Sequence, residues 1–310
     1  MEQKKKKETE SALLMVLTSV IWGIAFVFQR TGMEHIGPFA FNFFRCLLSI
    51  LFLISVSVVL SRKNRDKKDN IKKETSSKTL IIGGVLAGLA LFLGMSTQQV
   101  GMVSTTASKA GFITTMYIVL VPIMGSFYGR KTTLKMWLCV ITSCIGLYLL
   151  SIKSGFTIEK GDFLVFLSAI FFGIQIVVID IVASNTDAIK LSMVEFATSG
   201  ILSLIATLFT EHTTMHGIES AAIAILYTGL LSSGVGFTLQ IVAQKNLSPT
   251  IASLIMSMES GVSAIAGVVF LGEVLSEREI IGCIIMVISV ILAQVDFPQK
   301  KKRLNNGLVQ

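Results

Sequence analysis

Apolar residues in this chain come in long, nearly uninterrupted blocks. They have neither the alternation of a half-buried strand nor the single stripe of a soluble helix. Ten blocks recur: Ser11 to Phe28, Pro38 to Leu60, Thr79 to Thr97, Thr105 to Tyr128, Leu134 to Ile152, Phe163 to Ala183, Leu191 to Phe209, Ala221 to Val242, Ile251 to Leu271 and Ile280 to Val295. At a rise of ~1.5 Å per residue, blocks of about 16 to 24 residues reach across most or all of ~30 Å of hydrocarbon. The pattern predicts an all-α integral membrane protein with ten transmembrane helices. Between the blocks, residues 61–78 form the longest polar segment, basic and without apolar periodicity. It reads as an exposed linker that fixes topology, with contact to anionic lipid headgroups as the other option.

The order of blocks repeats. At an offset of 144, Ser104 and Thr106 fall on Ser248 and Thr250; at 143, Phe127, Gly129 and Lys135 fall on Phe270, Gly272 and Arg278. Upstream, an offset of 150 lays Gly23, Ile24, Val27 and Ser49 on Gly173, Ile174, Val177 and Ser199. This is the trace expected of an internal duplication, with five-helix repeats over residues 1–153 and 154–310. Five is odd, so the second repeat enters the membrane inverted. The charges follow: Gly129-Arg130-Lys131 becomes Gly272-Glu273-Val274, and Arg30 falls on Asp180.

Composition sharpens this picture. With 52% hydrophobic and 15% charged residues and a mean hydropathy of +0.74, an ordinary soluble domain is excluded. The net charge of +8 raises nucleic acid as a partner, but the basic residues sit where topology places them. With a cytoplasmic N-terminus the inner segments hold 21 Lys and Arg and the outer loops hold 4. That bias predicts a multi-pass cell-membrane protein, in contact with the lipid bilayer, with both termini cytoplasmic and no nucleic-acid role. Lys4 to Lys7 before an apolar run imitates a signal peptide, yet no small-residue cleavage site follows Phe28, so this block reads as the first helix. The oligomeric state is left open.

Reaction chemistry is thin. The four cysteines lie inside apolar blocks, and no His or Cys pair has metal-ligand spacing. His212 and His216 are four apart but read as a wet surface pair, and there is no Walker loop or Gly-x-Ser-x-Gly elbow. No cofactor and no metal are expected, and the chain does not read as an enzyme.

The polar residues inside the blocks carry the functional reading, because charge at bilayer depth is costly. Glu259 lies about 16 Å along its helix, nearly at the midplane, and should face a cavity or a partner. Lys109 is repeat-equivalent in helix and could reach toward it. The two either pair as a structural tie or border a central cavity and bind a zwitterionic or charged solute, and a protonatable Glu259 would allow proton coupling. Tyr117, Trp22 and Gln175, each near mid-membrane, would complete the lining. Trp22 packing on Gly23 is the plainer alternative. Arg45, about 10 Å below the outer surface, either snorkels or faces the cavity. Glu195, at the equivalent place in the second repeat, lies too far from Arg45 in depth to bridge it. Asp180 is close enough to the cytoplasm to be solvated. Gly84 and Gly88 form a GxxxG that speaks for packing. Ser104 and Ser248, at the small polar starts of the fourth and ninth helices, are either N-caps or part of a substrate path.

Two inverted five-helix halves, Trp22-Gly23, Met258-Glu259 and Leu271-Gly272-Glu273 closing the ninth helix resemble the EamA-type drug/metabolite transporter superfamily. The resemblance spans about Ser11 to Val295. It departs where Ser260 stands in place of a frequent Pro and where the first half ends in Gly129-Arg130-Lys131. It implies a secondary transporter, an exporter by preference, for small organic metabolites such as amino acids or related compounds, with a central cavity between the halves. A channel or a non-transporting scaffold is the alternative, and a membrane enzyme the more remote one.

Overall fold

A segment surrounded by hydrocarbon must satisfy its backbone hydrogen bonds internally, which the α-helix does and a lone strand does not. The computed structural model describes residues 2–65, 77–104, 107–129, 131–151, 160–271 and 276–294. Among them the regular elements are all helical: α1 (Glu2–Met33), α2 (Pro38–Arg65), α3 (Ser77–Met102), α4 (Ala107–Thr114), α5 (Tyr117–Phe127), α6 (Leu134–Ser151), α7 (Lys160–Val182), α8 (Ala188–Thr210), α9 (Met215–Ser220), α10 (Ala222–Leu226), α11 (Thr238–Gln244), α12 (Pro249–Met256), α13 (Glu259–Leu271) and α14 (Glu277–Gln294). Eight helical spans are long and apolar enough to cross a membrane. Leu134–Leu149 is shorter, and α14 opens with Glu277 and Glu279 in its first turn. Residues 66–76, Arg130, Lys153, the Gly272-Glu273 turn and Lys300 to Arg303 lie outside the described residues.

Three spans depart from the continuous helices the apolar pattern predicts. The span Ala110–Phe127 breaks at Thr115-Met116 between α4 and α5, and the span Pro249–Phe270 at Ser257-Met258 between α12 and α13. In each, a hydroxyl bonds a nearby carbonyl of the preceding turn: Thr115 Oγ1 to Phe112 O at 2.8 Å and Ser257 Oγ to Leu254 O at 2.7 Å. Such bonds compete with the helical ladder. The span Ala222–Gln244 widens into a π-helix over Tyr227–Phe237. Long π segments are rare and tend to mark functional sites.

Small residues set the distances between helices. α3 packs on α7 and α8, α2 on α8, α6 on α14, and α1 on α13 and the π segment. At Gly84 an added Cβ would stand 2.6 Å from Val194 Cγ1, and at Gly88 2.6 Å from the Glu195 carbonyl and from Thr198 Cβ. The GxxxG is therefore the α3–α8 contact. Gly88→Ala is expected to cost about 1–3 kcal/mol through overpacking, read as a lower unfolding temperature of the purified protein.

One tie closes the loop side. The Glu211 carboxylate, just past α8, accepts from Phe39 N at 2.9 Å and Ala40 N at 2.8 Å, capping the exposed donors at the start of α2. Glu211→Ala is expected to lose about 1–2 kcal/mol, the usual worth of a side-chain cap, measurable in the same unfolding assay.

Candidate functional site

The two helix breaks bring their first following residues together. Tyr117 opens α5 and Glu259 opens α13, 142 residues apart in sequence, and Tyr117 Oη donates to Glu259 Oε1 at 2.9 Å. Ser260 Oγ bonds back across the same junction, 3.1 Å from both Gly111 O and Thr115 Oγ1. The Ser at this position, where the resemblance leads one to expect Pro, thus supplies a polar tie between the two broken helices. Both carboxyl and phenol are buried, at 4% and 3% exposure.

Helix α1 docks on this junction through Gly23, where an added Cβ would meet Val262 Cβ at 2.5 Å and the Glu259 carbonyl at 2.7 Å. That approach positions Trp22, whose Nε1 donates to Ser232 O at 3.0 Å and whose ring lies 4.6 Å from that of Phe237. Packing on Gly23 and lining the cavity are therefore the same placement. The π segment presents Ser232 and Ser233 to α2. Arg45 Nε donates to Ser233 Oγ at 3.0 Å, Nη1 to Gln29 Oε1 at 3.4 Å and Nη2 to Ser232 Oγ at 3.5 Å. Arg45 is 3% exposed and does not snorkel.

These groups surround one cavity. Trp22, Gln29, Arg45, Gln98, Thr114, Tyr117, Gln175, Ser232, Gln240 and Glu259 supply its polar lining, and Phe26, Met95, Phe172, Phe237 and Met256 part of its apolar lining. It is narrow, with about 50 Å³ of free space, below the usual size of a small-molecule pocket. Five of the six residues expected from the sequence, Trp22, Arg45, Tyr117, Gln175 and Glu259, meet here. The sixth, Lys109, lies in the first turn of α4; its side chain falls outside the described residues, and the expected Lys109–Glu259 pairing with it.

The electrostatics are unusual for a buried site. The hydrogen bonds of Arg45 go to two serines and a glutamine, and that of Glu259 comes from a tyrosine, so among these contacts neither group meets an opposite charge. Buried ions without counterions are expensive. Tyr117→Phe removes one hydrogen bond to a charged group, worth about 1.5–3 kcal/mol. It is expected to weaken apparent solute affinity by about tenfold or more, read as the half-saturating concentration in a flux assay.

Sequence reasoning missed Gln29, Gln98, Ser232, Ser233 and Gln240. Gln29 was recoverable: Trp22, Ala25, Phe26 and Gln29 follow the helical i, i+3, i+4, i+7 spacing and all line the cavity. Ser232 and Ser233 were not, because nothing in the small and apolar run from Tyr227 to Phe237 signals the π winding adopted there. Glu195 and Arg45 are separate, as expected, with Glu195 bonded to Gln175. His212 and His216 are exposed, and no group of His, Cys, Asp or Glu among the described residues could hold a metal. Ser248 does cap its helix, accepting from Ile251 N at 3.3 Å.

Comparison with known proteins places this geometry. A solved crystal structure superposes with a TM-score of 0.74 over 92% of this chain and 96% of that one, at 14% identity, a likeness of fold. An uncharacterized transporter of Archaeoglobus fulgidus is 30% identical over 291 residues, 93% of this chain and 87% of the relative. The uncharacterized transporter YoaV of Bacillus subtilis is 22% identical over 93% of this chain and 97% of its own length. The model of the EamA-like transporter family matches twice, over residues 9–152 and 159–294. With apolar helices long enough to span a bilayer and two family matches covering nearly all of its length, this multi-pass membrane chain belongs to the EamA-like transporter family.

Proposed function

We propose that the protein is an ATP-independent secondary transporter that carries small, charged or zwitterionic organic metabolites, such as amino acids or related compounds, across the cell membrane by alternating access. The observation that carries this reading is the single cavity that holds Arg45 and Glu259, each bonded to neutral partners. It draws its walls from α1, α2, α3 and α5 on one side of the sequence and α7, α11, α12 and α13 on the other. A zwitterion would neutralise both charges at once. Export is the proposed direction, resting on the family resemblance alone.

The architecture proposed is ten spans in two inverted repeats, residues 1–153 and 154–310, with both termini cytoplasmic. The packing supports it. α2 against α8 and α6 against α14 are each a contact between corresponding spans, and α1 on α13 has its counterpart in α7 on α5. The helix breaks recur at corresponding positions, and broken helices at mid-membrane are a common way to build a transporter site. Proton coupling is proposed as well, through a buried carboxylate at or behind the cavity wall.

The test is counterflow in proteoliposomes loaded with a pooled metabolite mixture. Saturable counterflow of at least one charged or zwitterionic solute supports the carrier. Flux without counterflow would favour a channel, and no flux of any solute would reject transport. Orientation has its own check: cysteines introduced near Asp69 should react only from the cytoplasmic side.

A further inference from the structure

Behind one wall of the cavity sits a carboxylate that is not part of its lining. Glu195, about 10 Å along α8 from Ala188, is fully buried. Its Oε1 accepts from Gln175 Nε2 at 2.8 Å, while Oε2 is buried with no hydrogen-bond partner. Gln175 is locked in turn to Gln240: Gln240 Nε2 donates to Gln175 Oε1 at 3.0 Å, and Gln175 Nε2 reaches Gln240 Oε1 at 3.3 Å. Both amides line the cavity. A two-glutamine bridge therefore separates the carboxylate from the solute space.

The surroundings offer Glu195 no counterion among the described contacts. From α2, Arg45 is turned to Ser233, Gln29 and Ser232, and the thiol of Cys46 stands 3.8 Å from Ser199 Oγ. From α3 the nearest group is Gly88, which approaches the Glu195 backbone carbonyl. From α7 and α11 come the neutral Gln175 and Gln240, together with Thr238, which is bonded to Ser192. Glu259 and Tyr117, elsewhere on the cavity lining, are bonded to each other. An ionised carboxylate with one bare oxygen in such a place costs far more than the neutral acid. A hard cation would need about six or more oxygen ligands, whereas the partner held against this carboxylate is an amide nitrogen.

We propose that Glu195 is a proton-binding site of the transporter, protonated in this conformation and released to water when alternating access opens the Gln175–Gln240 bridge. On opening, the O–H bond at Oε2 breaks, the proton passes to water, and hydration stabilises the carboxylate left behind. The proton and the solute then occupy different groups, Glu195 for one and Arg45 with Glu259 for the other, and communicate through the two shared amides. A solute that takes a hydrogen bond from Gln175 or Gln240 withdraws a donor from the Glu195 network. The coupling half of this assignment rests on the transporter reading above; the protonation half does not.

Infrared difference spectroscopy of the purified full-length protein in lipid, stepped from acid to alkaline buffer, tests the protonation. A protonated-carboxyl C=O band is expected to vanish on the alkaline step, to be missing in Glu195→Gln and to persist in Glu259→Gln. Gln175→Met removes the donor at similar volume and is expected to move the band to higher frequency. A band that survives in Glu195→Gln, or that Gln175→Met leaves unmoved, overturns the assignment. If Glu195→Gln fails to fold, the Gln175→Met shift decides alone. In proteoliposomes with an internal pH dye, wild type is expected to move protons with solute, and Glu195→Gln to move solute with proton flux at background. Unchanged proton flux in that variant overturns the coupling. Complete absence of solute flux in wild type would overturn the transporter reading, while the infrared band would still decide where the proton sits.

Discussion

Glu259→Gln is expected to abolish most transport while leaving the protein folded. The amide keeps an acceptor oxygen for Tyr117 Oη, so the 2.9 Å bond that joins the two helix breaks survives. What disappears is the negative charge facing the cavity. Losing one member of a buried charge interaction costs about 2–5 kcal/mol, so solute flux at limiting concentration should fall by about 30-fold or more. The unfolding temperature should stay close to that of wild type, because no packing atom is lost. Counterflow of the best solute from the pooled screen measures the first quantity, and a thermal shift in detergent the second. Undiminished transport in the folded variant would reject an essential charge at this position, and undiminished proton flux with it would reject any role for Glu259 in proton coupling.

Arg45→Met should be as damaging to transport and more damaging to the fold. The guanidinium satisfies Ser233 Oγ, Gln29 Oε1 and Ser232 Oγ together. Removing it withdraws a donor from three buried groups, and an orphaned buried polar group costs about 1–3 kcal/mol. The hydroxyls have carbonyls of their own helix to turn to, so part of that loss is recovered; Gln29 has no comparable neighbour among its described bonds. Flux of solutes that carry an anionic group should again fall by about 30-fold or more. Arg45→Lys separates charge from geometry. Lys keeps the cation but lacks the planar fork, so a partial recovery of flux without recovery of stability is the expected pattern. Wild-type flux in Arg45→Met would remove the cation from the solute site.

Both predictions depend on the discontinuous helices. Were the spans Ala110–Phe127 and Pro249–Phe270 unbroken, Tyr117 and Glu259 would sit on turns set by the helical winding alone. The breaks at Thr115-Met116 and Ser257-Met258 free each following helix to turn its first residue inward. Ser260 then holds the two junctions together through Gly111 and Thr115. Gly23 sets how closely α1 approaches the same place. Motion between the halves would have to pass through these few contacts, which are small residues and single hydrogen bonds rather than interlocked side chains.

The class of this protein was fixed by the sequence at the level of composition and run length. Apolar runs of bilayer-spanning length with charges confined between them leave a helical membrane chain as the physical solution, whatever the contacts. The rule that charge at depth needs a reason then singled out Arg45 and Glu259, and both line the cavity. Depth along a helix is a one-dimensional quantity, and the sequence carries it. Azimuth and partner are not, and these only the tertiary structure decided. Lys109 was expected beside Glu259 from depth and reach, and its side chain lies outside the described residues; the described partner of Glu259 is Tyr117, the first residue after the helix break. Likewise Ser232 and Ser233, in the π segment, share one guanidinium, and Glu195 on α8 meets Gln175 on α7, both helices packing on α3. Such contacts depend on backbone kinks and helix rotations of a few residues, which shift no apolar run and so leave no mark on the pattern of hydrophobic and polar positions.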